Sequence, residues 1–196
     1  STLEIYKNNT ANGKPIYFYK DQNSLDSNNF SIAGDPGQII LSNCQNSTIK
    51  DFSLSDSTVG IELLFCVNIT IKNNTFSNNW INAIYCLRNC VDNTIYNNTI
   101  DGSTNSHAIR LDYDCTNNNI SKNIISNSFW GIYMSFGGDN NDIFNNSITD
   151  QNIGIYLWRF CDGNTIKQNN LLENNMAIYL RTDSDDNALI DNYAIS

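Results

Sequence analysis

Three residues have the types that acid–base chemistry on a sugar chain would use: Glu62, Arg110 and Asp112. A lyase or glycoside hydrolase needs carboxylates, often beside a cation, gathered on one face. All three fall at outward positions of strand-like segments that recur along the chain. Glu62 and Arg110 share one such position with Ile40, Tyr85, Tyr133, Tyr156 and Tyr179; Asp112 shares the next with Ser42, Leu64, Leu87, Ser135, Trp158 and Arg181. Two strand spacings would separate Glu62 from Asp112 by about 10 Å, wide even for a carboxylate pair that inverts. A surface ion pair accounts for the trio better than catalysis, and no catalytic residue is expected.

The same positions gather Tyr85, Tyr133, Tyr156, Trp158 and Tyr179 beside Arg110 and Arg181. Flat rings at regular intervals suit sugar rings or a partner protein; ordinary packing between outward tyrosines is the other reading. His107 recurs with Val59, Trp130, Ile153 and Met176, so it is expected in the core or half-buried, not as a ligand or base. Asp139, Asp162 and Asp186 also recur at one position, with Asp183 and Asp185 in the final turn. Stacked carboxylates repel, so either solvent screens them or a calcium ion lies between them; no other cofactor is expected. Asn-x-Ser/Thr sequons stand at Asn8, Asn29, Asn46, Asn68, Asn73, Asn97, Asn119 and Asn145. Asn73, Asn97 and Asn145 share one turn position and are the expected glycan acceptors.

A repeat must position these residues. Anchors stand at Leu25, Ile49, Ile71, Ile95, Ile120, Ile143, Ile166 and Ile190, 22 to 25 residues apart. A second apolar ladder follows at Ile39, Ile61, Ile84, Ile109, Ile132, Ile155 and Ile178, with Leu41, Leu63, Cys86, Leu111, Met134, Leu157 and Leu180 two residues on. Apolar residues two apart within a fixed long period, with Asn, Ser, Asp and Gly between, specify a β-solenoid. Each coil should pair in parallel with the next about 4.8 Å away, in a right-handed sense, for seven to eight coils. Three residues after most anchors an asparagine recurs (Asn74, Asn98, Asn123, Asn146, Asn169), able to pass amide hydrogen bonds from coil to coil. Five of the six cysteines (Cys44, Cys66, Cys90, Cys115, Cys161) share another position and read as buried thiols.

The chain of 196 residues reads as one domain, with 1–24 as an irregular lead-in and 25–196 as repeats. Two strands are expected in the lead-in, around Leu3, Ile5 and Tyr6 and around Ile16 to Tyr19, separated by an Asn12-Gly13 turn. A net charge of −9 disfavours nucleic acid and anionic membranes, and no apolar run approaches a membrane span. Neither end reads as a polar cap, so association end to end is expected.

The segments Asn12-Gly13-Lys14-Pro15-Ile16-Tyr17, Gly37 to Cys44 and Val59-Gly60-Ile61-Glu62-Leu63 resemble NosD-like right-handed β-helix proteins. Asn93 to Ile100 and Gly154-Ile155-Tyr156-Leu157 resemble that family's β-helix repeat. The resemblance implies secreted or cell-surface proteins, abundant in archaea, whose relatives include carbohydrate-binding modules, sugar hydrolases, epimerases and surface-layer components. It also implies copper maturation, for which one His and two Met are few donors. The resulting expectation is a non-enzymatic, extracellular structural or adhesive module, binding carbohydrate or protein. A polysaccharide lyase or hydrolase using Glu62, Arg110 and Asp112 is the competing class.

Overall fold

Like residues stack on like, and this repetition builds the molecule. The computed structural model describes residues 9–102, 105 and 107–195, all strand, turn and loop without helix. Each coil after the first contributes one strand to each of three sheets. The long sheet has nine strands and the others seven each. All pairings are parallel except Thr10–Ala11 against Lys14–Lys20, so the fold is an all-β parallel solenoid of about eight turns. The Asn12-Gly13 turn is the hairpin between those two strands, both residues at positive φ. The proposed strand at Leu3, Ile5 and Tyr6 and the Asn8 sequon lie outside the described residues.

The coils leave the second sheet through Asp51, Asn73, Asn97, Lys122, Asn145, Gln168 and Asp191, every one with φ between 50° and 63°. Asn and Asp tolerate this left-handed backbone best, which explains their dominance at the turns. The next residue inward forms the amide ladder. Asn123 shows its unit: its Oδ1 accepts from the backbone N and Nδ2 of Asn98, each at 3.0 Å. Its Nδ2 donates to Ile95 O and Asn146 Oδ1, again at 3.0 Å. The ladder runs from Asn74 to Asn192. A second, not picked out from the repeat, joins Asn93, Asn118, Asn141, Asn164 and Asn187 at the preceding corner. Shorter stretches at the third corner link Ser57 to Asn79, and Ser128 through Gln151 to Asn174. Buried polar groups at every corner thereby find partners.

Between the corners the inward positions are filled by Ile, Leu, Phe and thiols, most with no exposed surface. All six cysteines are buried and free. The thiols of Cys44, Cys66, Cys90 and Cys115 turn onto carbonyls of the preceding coil, as from Cys66 to Leu41 O and from Cys90 to Leu63 O, both 3.4 Å.

Two anchors are corrected. Asn23 bridges Gln45 and Leu25 N meets Ser47 Oγ, so Leu25 lies over Ser47, not over Ile49. At the other end Leu189, not Ile190, stacks on Ile166, and Asn192, Ser184 and Asp185 continue the neighbouring columns. The ends also differ from each other. In the first coil, residues 24–37 replace two strands and drive Phe30 into the core, edge-on to Tyr17, Tyr19 and Phe52. Tyr17 and Tyr19 donate their hydroxyls to Gly34 O and Asn29 O, fixing this closure. The core is therefore closed at that coil, whereas in the last one the inward Leu189 is 49% exposed.

Truncating Asn123 to Ala leaves the buried Asn98 N–H without its acceptor and Ile95 O without its amide donor. The expected loss is about 2–4 kcal/mol, read as a lower urea midpoint; an unchanged midpoint would show that the ladder does not hold the coils together.

Candidate functional site

The outer face of the long sheet collects the side chains of chemical interest, because strand register aligns them. One column runs Ile40, Glu62, Tyr85, Arg110, Tyr133, Tyr156, Tyr179, and its neighbour Ser42, Leu64, Leu87, Asp112, Ser135, Trp158, Arg181. A third runs Val59, Asn82, His107, Trp130, Ile153, Met176. This third column faces outward because strand alternation breaks at the following residue, which is Gly60, Ala83, Ala108, Gly131, Gly154 or Ala177. Ala83 and Ala108 join the core although Ile84 and Ile109 after them do too. Only small residues fit there: a Cβ on Gly131 would lie 2.5 Å from Gly154 O. His107 is consequently half-buried on the outer face rather than in the core.

Arg110 and Asp112 form an ion pair at 2.6 Å, with the Asp112 side chain only 1% exposed. Asp112 is buried and Arg110 half-buried, so the pair is less exposed than the expected surface one. Asp112 also accepts from Ser135 Oγ and from Tyr85 Oη, at 2.5 and 3.1 Å, while Arg110 lies over the Tyr85 and Tyr133 rings. Its oxygens are thus committed to the protein. Glu62 lies two coils from Arg110, with Tyr85 between them. Burial raises the pKa of Glu62 and of Tyr85, the latter helped by Asp112, and pushes that of Tyr133 up to about 12. The trio is not assembled as an acid–base pair.

Beside the ion pair lies a hydrophobic cluster separate from the core. Tyr133, Ile153 and Tyr156 form its floor, and Trp130, Trp158 and Tyr179 pack around them. Trp130 is 4.7 Å from Tyr133, and Tyr156 stacks on Tyr179 at 5.1 Å. Tyr133 and Tyr156 are 3% and 5% exposed, so among the expected ligand-facing rings these two are packing residues. Tyr85, Trp158 and Tyr179 keep partly open surface, and Arg181 is exposed. Two polar atoms flanking His107 in its column, Asn82 Oδ1 and Trp130 Nε1, are buried without a hydrogen-bond partner. The His107 ring sits 4.7 Å from that of Trp130, and its Nδ1 is 3.4 Å from Ile81 O. Burial first, and the Arg110 charge second, lower its pKa to about 4.

The acidic column is Asp139, Asp162 and Asp185; the one-residue shift of the last coil removes Asp186 from it. Asp139 Oδ1 accepts from Asp162 N, and Asp162 Oδ1 from Asp185 N, at 2.8 and 2.7 Å. One oxygen each of Asp139 and Asp162 is thereby taken by a backbone donor of the next coil. Asn73, Asn97 and Asn145 are exposed at their shared left-handed corner, with Asn97 Nδ2 donating to Asn73 Oδ1.

Fold and face together define a parallel β-helix with an aromatic outer sheet. A family model described as "Periplasmic copper-binding protein (NosD)" matches residues 1–193, and the chain belongs to that family. No curated protein matches the sequence. Among solved structures, a point mutant of the periplasmic alginate epimerase AlgG matches with a TM-score of 0.66 and 19% identity, over 86% of this chain. The chain spans 39% of the length of that protein. A second AlgG mutant matches 88% of this chain at 14% identity, with a TM-score of 0.46. No helix among the described residues is long and apolar enough to cross a membrane.

Copper prefers thiolate, thioether and imidazole donors. Here the thiols and Met134 are sealed in the core. Even the three thiols that touch, Cys86, Cys90 and Cys115, bond one another: Cys115 and then Cys86 lower the pKa of Cys90, which raises theirs in return. On the surface His107 and Met176 are three coils apart, roughly 14 Å. Among the described residues no group of three or more His, Cys, Asp or Glu is arranged to hold a metal ion. The residues present do not fit the metal for which the family is named.

Two outcomes follow for this face. Asp112→Asn deprives the half-buried Arg110 of its carboxylate, at an expected cost of about 2–3 kcal/mol; Arg110→Met in the same chain should recover part of it. A loss below about 0.5 kcal/mol, the range of an ordinary surface substitution, would mark the pair as solvated. His107, the single histidine, should titrate by NMR near pH 4. Because its folded pKa lies below the unfolded value, it contributes stability present above about pH 6.5 and lost as pH falls toward 4. His107→Asn should flatten that part of the stability profile, and a titration at an ordinary histidine pKa would refute the burial.

Proposed function

We propose that the protein is an extracytoplasmic β-helix module, periplasmic or at the cell surface, that binds carbohydrate along the outer face of its long sheet without acting on it chemically. The observation that carries the reading is the aromatic cluster outside the core. Tyr133 and Tyr156 form a rigid floor, and Trp130, Trp158 and Tyr179 stand around it with surface still open. Rings repeat about every 4.8 Å along the axis, close to the length of one pyranose in an extended β-linked chain. Apolar ring faces meet sugar faces at low entropic cost.

A binding role also accords with the commitment of Asp112 to Arg110, Ser135 and Tyr85, which leaves Glu62 without a carboxylate partner for hydrolysis or elimination. The alginate epimerase with the same fold works on a polysaccharide. At its level of identity that likeness supports the architecture, and the rings of this chain support the ligand class.

Calorimetry against a panel of linear oligosaccharides tests the reading. Trp158→Ala and Tyr179→Ala should each weaken the best ligand about tenfold, as loss of one stacking ring does (~1.4 kcal/mol). Absence of binding to every member of the panel, or undiminished binding by both variants, would overturn it.

A further inference from the structure

Where the coils leave the long sheet, one corner departs from the rule that the others follow. Arg88, Tyr113, Phe136 and Arg159 each follow an in-register strand end on successive coils, and each has φ between 55° and 63°. A bulky side chain in this left-handed region is disfavoured by about 1 kcal/mol or more, and the corner after the second sheet uses mainly Asn and Asp. Here the side chains form a ladder of their own. The Arg88 guanidinium lies 5.4 Å above the Tyr113 ring, Tyr113 and Phe136 stack at 5.1 Å and 6°, and Arg159 lies 5.5 Å from Phe136. Arg159 also covers Trp158 at 4.6 Å, which joins the corner to the aromatic sheet face. These contacts return part of the backbone cost, yet Arg88, Tyr113 and Arg159 remain exposed.

Charge distinguishes this corner further. All four arginines of the chain, Arg88, Arg110, Arg159 and Arg181, lie on the long sheet or at this edge of it. Arg110 is neutralised by Asp112. Among the described residues Arg88, Arg159 and Arg181 make no ion pair, in a chain with 20 acidic residues. Planar cations held over rings and free of carboxylates are suited to take carboxylates from a ligand, two oxygens to one guanidinium.

We propose that this corner is a docking track for a linear polysaccharide bearing carboxylates, a uronate chain laid along the solenoid axis. Carboxylates meet Arg88 and Arg159, three coils or about 14 Å apart, and the sugar rings between them lie across the outward edges of Tyr113 and Phe136, whose faces the ladder itself occupies. This inference rests on the reading of the adjoining face as a carbohydrate surface and adds its charge preference.

Calorimetry with a galacturonate hexamer, a neutral glucan hexamer and polyglutamate distinguishes the outcomes. The wild-type chain should bind the uronate at least tenfold more tightly than the neutral hexamer, and polyglutamate more weakly than the uronate. Arg88→Asn with Arg159→Asn should abolish the preference while the thermal midpoint holds or rises, since Asn accepts the left-handed backbone that Arg tolerates poorly. Equal affinity for the two hexamers, a preference surviving in the double variant, or equally tight polyglutamate would overturn the track. If the neutral hexamer binds and the uronate is not preferred, the track alone fails. If neither sugar binds, the function proposed for the face fails with it.

Discussion

The hydrogen bond from one side-chain amide to the next coil is the constraint on which this structure depends. A parallel coil can join its neighbour through strands alone, but its corners would leave backbone N–H and C=O groups buried and unpaired. An asparagine at the corner accepts from the backbone and amide of one coil and donates to another carbonyl and the next amide. Asn74 to Asn192 and Asn93 to Asn187 do this on two edges of the molecule. The ladders fix where each coil turns. Those turns decide which residues face out, so the aromatic face and the arginine corner inherit their alignment from the amides at the corners.

Much of the fold could be read from the period. Apolar residues two apart and 22 to 25 residues from their equivalents leave little but a β-solenoid, and the middle coils carry the expected register throughout. The readings that failed did so where one residue changed the count. At the first coil the spacing favours Leu25, an apolar residue near the right distance, while the structure pairs Asn23 with Gln45 and uses Phe30 to fill the space. At the last, Leu189 and Ile190 are adjacent and equally apolar; the asparagine at 192 carried the register, and the hydrophobic pattern could not. The one-residue slip moved Asp186 out of the acidic column and Asp185 in.

The site was legible as positions but not as environments. Alternation placed Tyr85, Arg110, Tyr133, Tyr156 and Tyr179 on one face, and the register confirms that placement. It could not show that Tyr133 and Tyr156 cover each other, or that Asp112 is buried by the ring and hydroxyl groups around it. His107 was assigned by parity, and parity fails at the small residue beside it; a column of Gly and Ala was the signal in the sequence. The arginine corner needed backbone angles, because nothing in a run such as Trp158-Arg159-Phe160 states that two of these residues are left-handed.

The closure of every corner by its immediate neighbours has a consequence for how such a chain changes over generations. A coil finds all its partners one repeat above and one below, so removal of a segment between equivalent points, such as 121 to 143, would join surfaces already shaped to meet. Duplication would be accommodated in the same way. Length is therefore a free variable for this architecture, whereas the composition of a single corner is not. Lineages can extend or shorten the rod, and with it the number of rings offered to a long ligand, without inventing a new contact.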